Sequence, residues 1–311
     1  MSKKYFTPAS KEATEKYVAE VGKAFGEEVE KLPWMDKATK EKAKEKLSKM
    51  AYLVGYPGKF RTYEFAVDNK NWAATALAAR AFDFNYKMAK VGKPVDRERW
   101  GMSPPTVNAY YRGTLNHMVF PAGILQPPFF DVKAHVPVNL GAMGMVVGHE
   151  LTHGFDDKGS KFDGQGNLQN WWTDTVRKQF TDRTDCMVKQ YGSYEVLPGV
   201  KQDGKLTLGE NIADNAGVML AFQAYRSLRK DAPELLEAGG FNEDQQFFLS
   251  VGQVWCTVMT DDYARLRAGT DTHSHPRFRV NGSLSNFPAF AEAFQCKVGS
   301  PMRRADACTV W

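Results

Sequence analysis

The segment with the clearest chemical potential is the run GHELTH at residues 148–153. It contains H-E-x-x-H, in which two histidines four residues apart lie on one face of a helix. Both imidazoles can then bind one zinc ion about 2.0 to 2.1 Å away and leave one coordination position for water. Glu150 projects toward that position and can take a proton from the bound water. The motif predicts a catalytic metal site with His149 and His153 as ligands and Glu150 as general base.

An H-E-x-x-H pattern also arises by chance on helices whose histidines only satisfy hydrogen bonds. Here the motif follows the apolar residues Met143, Met145, Val146 and Val147, which are typical of a buried helix. Burial of two histidines and a glutamate without partners costs free energy, and a metal ion compensates for that cost. This context favours the metal site.

A catalytic zinc site of this kind uses a third protein ligand. A histidine six residues after His153 would indicate a metzincin, but that position is Gly159. Further along, Glu210 and Asp214 are four residues apart and share a helix face. Glu210 can bind the metal while Asp214 accepts a hydrogen bond from the second nitrogen of a ligand histidine. Glu210 can also stabilise a helix N-terminus, and the two roles are compatible.

A loop from Thr270 to Pro276 carries His273 and His275. A cationic histidine there can stabilise the oxyanion of a tetrahedral intermediate. From the loop alone, an ordinary surface position is the favoured interpretation.

The elements that must position these residues are mainly helical, with a small sheet, which is an α+β class. The segment 106–120 is rich in Val, Tyr and Phe and predicts one or two strands with a turn near Arg112-Gly113. Composition shifts after Trp100, so we expect a helical segment over residues 1–100 and a catalytic domain over 101–311. The predicted helices cover approximately residues 17–32, 36–51, 71–89, 139–153, 173–191, 210–228 and 244–267.

Composition argues against several classes of protein. The net charge is only +5, and the densest basic run, Lys37 to Lys49, alternates with glutamates, which disfavours nucleic-acid binding. No stretch approaches the ~18 to 20 apolar residues of a membrane span, and no apolar signal core follows Met1. The four cysteines form no C-x-x-C pair, which argues against a cysteine-based metal site and leaves disulfides or free thiols open.

Several longer motifs resemble those of the neprilysin and endothelin-converting-enzyme family of zinc endopeptidases. They follow the family's order and cover the chain from about residue 100 to its end. The similar segments are Asn108–Tyr111, Val119–Phe130, Gly148–Asp157, Gly209–Gly217, Val254–Cys256 and Cys308–Trp311, with Leu32–Asp36 nearer the N-terminus. The resemblance implies a thermolysin-like (gluzincin) catalytic domain with one zinc ion per chain. It also implies peptide substrates and a secreted or periplasmic location, and we expect a monomer.

The resemblance implies roles at individual positions. His149, His153 and Glu210 would be the zinc ligands, and Glu150 the base. Asp156 and Asp214 would accept hydrogen bonds from the two histidines, and Asp214 would also count as a catalytic residue. His273 would stabilise the transition state, and Arg279 would bind a substrate carbonyl. Asn108 and Ala109 would pair with the substrate backbone, and the pocket for the residue after the scissile bond would be lined by Phe129, Val146 and Trp255. The sequence His275-Pro276-Arg277 departs from the family's usual Pro-Gly-Asn, so His275 stays open as an alternative to His273.

Family members are considerably longer, so this chain corresponds to their catalytic half and should have a more open cleft. By resemblance, Cys186 pairs with Cys308, while Cys256 and Cys296 are free. The expected function is a zinc endopeptidase that cleaves on the amino side of apolar or aromatic residues. The alternative is a zinc- and peptide-binding fragment without efficient turnover.

Overall fold

The computed structural model describes residues 6–232 and 234–311, which fold into two compact units. One unit comprises residues 57–101. The other, called the main unit here, combines the described residues up to Tyr56 with those from Met102 onward. The predicted division into residues 1–100 and 101–311 stays a prediction. By contacts, the described residues up to Tyr56 group with those from Met102 onward, the part of the chain that carries the H-E-x-x-H motif.

The main unit begins with two helices whose starts are set by side-chain caps. Helix α1 (Pro8–Lys31) is capped by Thr7, whose side chain accepts the N–H of Ser10. Helix α2 (Lys37–Ser48) is capped by Asp36, as predicted. It ends earlier than expected, because residues from Ala51 onward form a strand.

A small sheet follows, made of β1 (Ala51–Gly55), β2 (Tyr110–Arg112) and β3 (His117–Pro121). The order is β1-β3-β2, with β1 parallel and β2 antiparallel to β3. All residues of β3 are buried, which explains its apolar sequence. Strand β2 lies at an edge of this sheet.

The H-E-x-x-H motif begins on a fully buried helix, and His153 directly follows its last residue. Helix α4 (Val136–Asn139) continues through a π-helical segment (Leu140–Gly144) into α5 (Met145–Thr152), and every residue of α5 is buried. Helix α7 (Leu208–Arg229) crosses α5 where Gly148 meets Gly217. A Cβ at Gly148 would lie 2.8 Å from the Cα of Gly217, so the crossing depends on the two glycines.

The other helices of the main unit also begin at recognisable signals. Helix α6 (Asp174–Gly192) is capped by Thr173, and α8 (Glu243–Val254) begins with a capping box of Asn242 and Gln245. The single helix predicted over 244–267 is wrong: Thr260 caps a separate helix α9 (Asp261–Thr270). Helices α10 (Pro276–Ser285) and α11 (Pro288–Ala293) and the hairpin of β4 (Glu195–Leu197) and β5 (Val200–Lys201) were not predicted.

The core joins distant parts of the main unit through aromatic rings. Trp311 packs against Phe25 of α1, Trp34, Phe155 and Phe180 of α6, with ring centroids 5.5 to 6.2 Å apart. A disulfide between Cys186 and Cys308 fixes the C-terminal segment to α6 and confirms the expected pairing. Cys256 and Cys296 are free in the described chain.

The unit of residues 57–101 contains α3 (Trp72–Met88), whose residues are all at least partly exposed. Asp83 of this helix pairs with Arg61 and Lys87. Across the described residues of the whole chain, no helix combines the length and apolar character needed to cross a membrane. The expected mainly helical fold with small sheets is confirmed.

Candidate active site

Three candidate ligand atoms converge where α5 ends beside the start of α7. His149 lies in the last turn of α5, and His153 directly follows Thr152 at its C-terminus. Their Nε2 atoms are 3.0 Å apart. Glu210, in the first turn of α7, places Oε2 3.2 Å from Nε2 of His149 and 3.3 Å from Nε2 of His153.

A carboxylate fixes the orientation of each imidazole from behind. Nδ1 of His149 lies 2.8 Å from Oδ1 of Asp214, and Nδ1 of His153 lies 2.7 Å from Oδ2 of Asp156. A carboxylate can only accept, so each Nδ1 carries the hydrogen and each neutral imidazole turns the lone pair of Nε2 toward Glu210.

This arrangement fits a zinc ion. Two nitrogen lone pairs and a carboxylate oxygen repel one another at 3.0–3.3 Å unless a metal ion or bound protons lie between them. Oε2 of Glu210 is buried and makes no hydrogen bond among the described residues. Tetrahedral zinc with ligands at about 2.0 to 2.1 Å separates its ligand atoms by about 3.3 Å. Both the donor types and their spacing therefore match zinc.

Protons compete for the same lone pairs when the metal is absent. Burial lowers the pKa of His153, but its hydrogen bond to Asp156 and its proximity to Glu210 raise that pKa well above the ordinary value. Burial would raise the pKa of Glu210, but its interactions with the two imidazoles outweigh burial and hold that pKa well below the ordinary value. Without a metal ion, Glu210 is therefore ionised and faces a protonated histidine, and a cation that binds between them replaces that proton.

Asp214 links the metal site to a buried arginine. Arg279 of α10 donates from Nε and Nη2 to the two oxygens of Asp214 at 2.7 and 2.6 Å. Burial would raise the pKa of Asp214, but the charge and hydrogen bonds of Arg279, aided by His149, keep it below the ordinary value. Asp214 therefore stays ionised, oriented by Arg279 and able to hold His149.

Asp156 is held by the loop that follows α5. Its Oδ1 accepts the backbone N–H groups of Lys158 and Gly159 at 2.8 and 2.7 Å. Its other oxygen accepts from His153. The loop thereby fixes the ring of the second ligand histidine.

His273 reaches the site from the loop before α10. Its Nδ1 lies 2.9 Å from Oδ1 of Asp271, and its Nε2 lies 3.3 Å from Oε2 of Glu210. His275 instead caps α10 by accepting the N–H of Arg277. Of the two histidines that the sequence left open, His273 is the one whose ring faces the ligand atoms.

Glu150 carries a buried carboxyl group and directly follows His149 on α5. Its side chain is only 5% exposed, and burial raises its pKa against the influence of both histidines. A carboxyl with a raised pKa holds a proton more firmly, which suits a group that accepts a proton and later donates it.

A cavity of about 680 Å³ opens in front of these groups. Asp214 lies behind His149, while the structure places every other predicted site residue in the cavity wall. Those residues are Asn108, Ala109, Phe129, Val146, His149, Glu150, His153, Asp156, Glu210, Trp255, His273 and Arg279. Trp255, at the end of α8, stacks under Arg279 with the guanidinium carbon 3.8 Å from the ring centroid.

Several residues that support the position of His273 are not indicated by the sequence motifs. Asp271 orients His273 and also pairs with Arg267 at 2.6 Å. An acidic residue two positions before a candidate histidine could have indicated this. Ser274, fully buried, donates to Asn211 beside Glu210, and no spacing in the sequence points to that contact.

A helix that carries H-E-x-x-H, with a glutamate from a second helix, is the ligand arrangement of a class of zinc peptidases. A family model described as peptidase family M13 matches residues 108–310, and a second model of the same family matches residues 1–57. The chain belongs to peptidase family M13.

Curated and solved relatives agree with this assignment. Neprilysin-3 of Drosophila melanogaster is 41% identical over 98% of this chain and 40% of its own length. Endothelin-converting enzyme 1 of Homo sapiens is 42% identical over 98% of this chain and 41% of its own length. The chain therefore spans about two fifths of these relatives.

The structural neighbours include two bacterial proteins. Zinc metalloprotease Zmp1 of Mycobacterium tuberculosis, solved with an inhibitor, has a TM-score of 0.88 and 36% identity, covering 96% of this chain and 47% of Zmp1. PepO of Lactobacillus rhamnosis has a TM-score of 0.88 and 33% identity, covering 99% of this chain and 48% of PepO.

Proposed function

We propose that this chain is a zinc-dependent endopeptidase. The observation that carries the proposal is the convergence of His149, His153 and Glu210 on one point, with the buried carboxyl of Glu150 beside it. The same convergence supports one zinc ion per chain. The alternative, a fragment that binds zinc and peptides without efficient turnover, shares the ligands and differs only in catalysis.

When bound, zinc would lower the pKa of a water molecule to about 7 and polarise the scissile carbonyl. Glu150 accepts the proton of the attacking water and passes it to the leaving amine. His273, held by Asp271, donates to the oxyanion that forms when the water attacks the scissile carbonyl and its oxygen gains the negative charge. Asp156 and Asp214 keep the ligand histidines in the orientation that this chemistry needs.

The cavity walls support the expected preference for an apolar or aromatic residue after the scissile bond. Phe129, Val146 and Trp255 provide apolar surface, and Arg279 provides N–H groups next to them. Asn108 and Ala109 immediately precede β2, at an edge of the sheet, where an extended peptide can add as a further strand. The N–H of Ala109 bonds to the side chain of Asn108, so a substrate carbonyl would replace that contact.

We also propose that the protein acts outside the cytosol and as a monomer. A disulfide persists in oxidising compartments, so the bond between Cys186 and Cys308 supports a location outside the cytosol. A monomeric state is also proposed, and size-exclusion chromatography with light scattering would test it.

The proposed function is tested with a quenched fluorescent peptide that has an apolar residue after the scissile bond. Glu150→Gln should retain zinc and lower kcat by about 10²- to 10⁴-fold, because the base is lost while the ligands remain. The exposed Glu292 provides the control: Glu292→Gln should cleave like the wild type. Zinc content is measured in all three proteins.

Two results would count against the proposal in different ways. If the wild type holds zinc but cleaves no peptide, the binding-fragment alternative is supported. If Glu150→Gln retains full activity, Glu150 is not the base.

A further inference from the structure

A buried lysine from the N-terminal part of the main unit lies beneath the loop that follows α5. Lys46, near the end of α2, is only 1% exposed. Its Nζ donates to the backbone carbonyls of Gly154, Gly159 and Phe162 at 2.5, 2.7 and 2.7 Å. An ammonium group has three N–H donors, so all of them are used and all act on this one loop.

These carbonyls belong to the segment that orients a ligand histidine. Gly154 directly follows His153, and the N–H of Gly159 donates to Asp156. Asp156 in turn accepts from Nδ1 of His153 at 2.7 Å. A continuous chain of contacts therefore runs from Lys46 through the loop and Asp156 to the second ligand histidine.

The loop also needs Lys46 for electrostatic reasons. Carbonyls at the C-terminus of a helix carry partial negative charge, and a cation there is stabilising. Burial lowers the pKa of Lys46 to about 7, while the charges of Asp156 and Asp163 oppose that shift. Rings of Tyr111, Phe155 and Trp171 surround the ammonium group with centroids 5.3 to 5.9 Å away. Without Lys46, the carbonyl of Gly154 would lose its donor among apolar rings, while the carbonyls of Gly159 and Phe162 would keep only the N–H of Phe162 and the indole N–H of Trp171.

We propose that Lys46 is a positioning residue for the metal site: Lys46 holds the loop over 154–162 so that Asp156 can orient His153. The inference rests on the proposed metal function. It assigns the segment before Tyr56 a direct part in the site, through one side chain about a hundred residues before the motif.

The test uses Lys46→Met in the full chain, because methionine keeps most of the length and none of the donors. Zinc affinity is measured by competition with a chromogenic chelator, and the Co²⁺-substituted protein is examined by visible absorption. We expect zinc binding about tenfold or more weaker, the size of effect seen when support of a ligand is lost. We also expect a changed Co²⁺ spectrum, because the geometry of one imidazole changes.

Val21→Ala is the control for lost stability, since Val21 is fully buried in α1. It should lower the melting temperature without altering zinc affinity or the Co²⁺ spectrum. If Lys46→Met does not fold, Lys46→Gln is measured; its shorter side chain has two N–H donors in place of three and no charge, so zinc binding should weaken in the same direction but by less.

Unchanged zinc affinity and spectrum in the folded Lys46 variant would overturn the proposal. So would equal weakening of zinc binding in Val21→Ala, because Lys46 would then act through stability alone. A wild type that binds zinc but cleaves no peptide would refute the peptidase proposal. The competition measurement of zinc affinity would still decide whether Lys46 positions the metal site. A wild type that binds no zinc would refute both.

Discussion

The two carboxylates behind the ligand histidines differ in their surroundings, although they make the same hydrogen bond. Asp214 is fully buried and pairs with the buried Arg279. Asp156 is also buried, but its second oxygen accepts from backbone N–H groups and not from a charged side chain. Removal of the negative charge should therefore have different consequences at the two positions.

We predict that Asp214→Asn and Asp156→Asn each weaken zinc binding by about 10- to 100-fold, since an amide with one accepting oxygen and no charge replaces the carboxylate that orients each histidine. Only Asp214→Asn should also lose about 3–5 kcal/mol of unfolding free energy, because Arg279 is left as an unpaired buried charge. Urea unfolding of the metal-free proteins separates this loss from the loss of bound zinc. Equal losses of stability in the two variants would contradict the assignment of Arg279 as the partner of Asp214.

At the residue scale, the sequence predicts the ligands better than their supports. His149, Glu150 and His153 follow from spacing on one helix, and Glu210 with Asp214 from spacing on another. Contacts between residues distant in sequence carry no such signal. Lys46 looks like any other lysine of a charged helix, and its burial follows only from how α2 packs beneath the loop over 154–162, called the motif loop here.

At the scale of elements, the site depends on how closely α5 and α7 approach. Gly148 precedes His149 on α5, and Gly217 lies two helical turns after Glu210 on the same face of α7. A Cβ at Gly217 would lie 2.7 Å from the carbonyl oxygen of Met145 and 2.8 Å from the N of His149. These are backbone atoms, so an added methyl group must move one of the helices.

We predict that Gly217→Ala destabilises the protein by about 1–3 kcal/mol through overpacking, although alanine favours helix more than glycine does. Zinc binding should weaken as well, because Glu210 is displaced from the histidines. Thermal unfolding and chelator competition measure the two effects.

Gly22→Ala is the matched control, since Gly22 lies in α1 with no atom within 4 Å of an added Cβ. It should stabilise the protein by about 0.5–1 kcal/mol and leave zinc binding unchanged. If Gly217→Ala behaved in the same way, the close crossing would not be what places Glu210.

A buried hydrogen-bond network holds the loop that carries His273. Ser274 donates to Asn211 at 2.7 Å, and Asn211 donates to Thr207 at 2.9 Å, all in the buried interior. Because Asn211 is next to Glu210, this network ties the loop to the start of α7. We predict that Ser274→Ala lowers kcat more than it changes zinc content, since His273 loses its anchor and the ligands do not.

Single-turnover peptide cleavage together with zinc analysis tests this prediction. A buried acceptor left without its donor should also cost about 1–3 kcal/mol of stability. Thr270→Ala, at the end of α9 just before this loop, is the control, because the hydroxyl of Thr270 donates to the carbonyl of Leu266 in the same helix. Equal kcat in Ser274→Ala and the wild type would show that the network does not position His273.

Helices with clear caps and apolar stripes were predictable at this scale, and elements defined by distant partners were not. Helix α1 and the caps at Asp36 and Thr173 follow from local sequence. Strand β1 is short and exists because it pairs with β3, about sixty residues later. The break between α8 and α9 was missed because the helical pattern continues across it, although Thr260 marks a new start.

At the scale of the whole molecule, the C-terminal segment closes the main unit. Cys308 bonds to Cys186 across 122 residues, and Trp34 donates from its indole N–H to the carbonyl of Val310 at 3.1 Å. Trp311 lies among aromatic rings from α1, the motif loop and α6. Chain segments from both ends therefore stabilise the core behind the metal site.

We predict that Cys308→Ser lowers the free energy of unfolding by about 2–5 kcal/mol, because the unfolded chain loses a cross-link that closes a long loop. Denaturant unfolding of the non-reduced protein measures this loss. Cys256→Ser should change stability little, since Cys256 is exposed and free.

Alkylation without reductant provides a second readout. Only Cys256 and Cys296 should be labelled, with Cys296 slower because it is partly buried. Labelling of Cys308 in the folded, non-reduced protein would contradict the disulfide.

The disulfide and the overall class could be predicted at this scale, whereas the packing of the N-terminal helices against the later part of the chain could not. The pairing of Cys186 with Cys308 followed from family resemblance, since spacing alone allows several pairings. The composition change near residue 100 suggested one boundary. Packing of α1 against α5 and α7 places the N-terminal helices in the main unit, and that packing is not encoded by composition.

The most direct test of the central claim is X-ray absorption at the zinc edge of the dialysed, zinc-loaded protein. We predict one zinc ion per chain, with two imidazole nitrogens, a carboxylate oxygen and a water oxygen at about 2.0 to 2.2 Å and no sulfur neighbour. Glu210→Gln should bind zinc much more weakly or not at all, because a neutral amide oxygen replaces a carboxylate ligand. Sulfur neighbours at about 2.3 Å, or no zinc retained after dialysis, would contradict the claim that His149, His153 and Glu210 form the metal site.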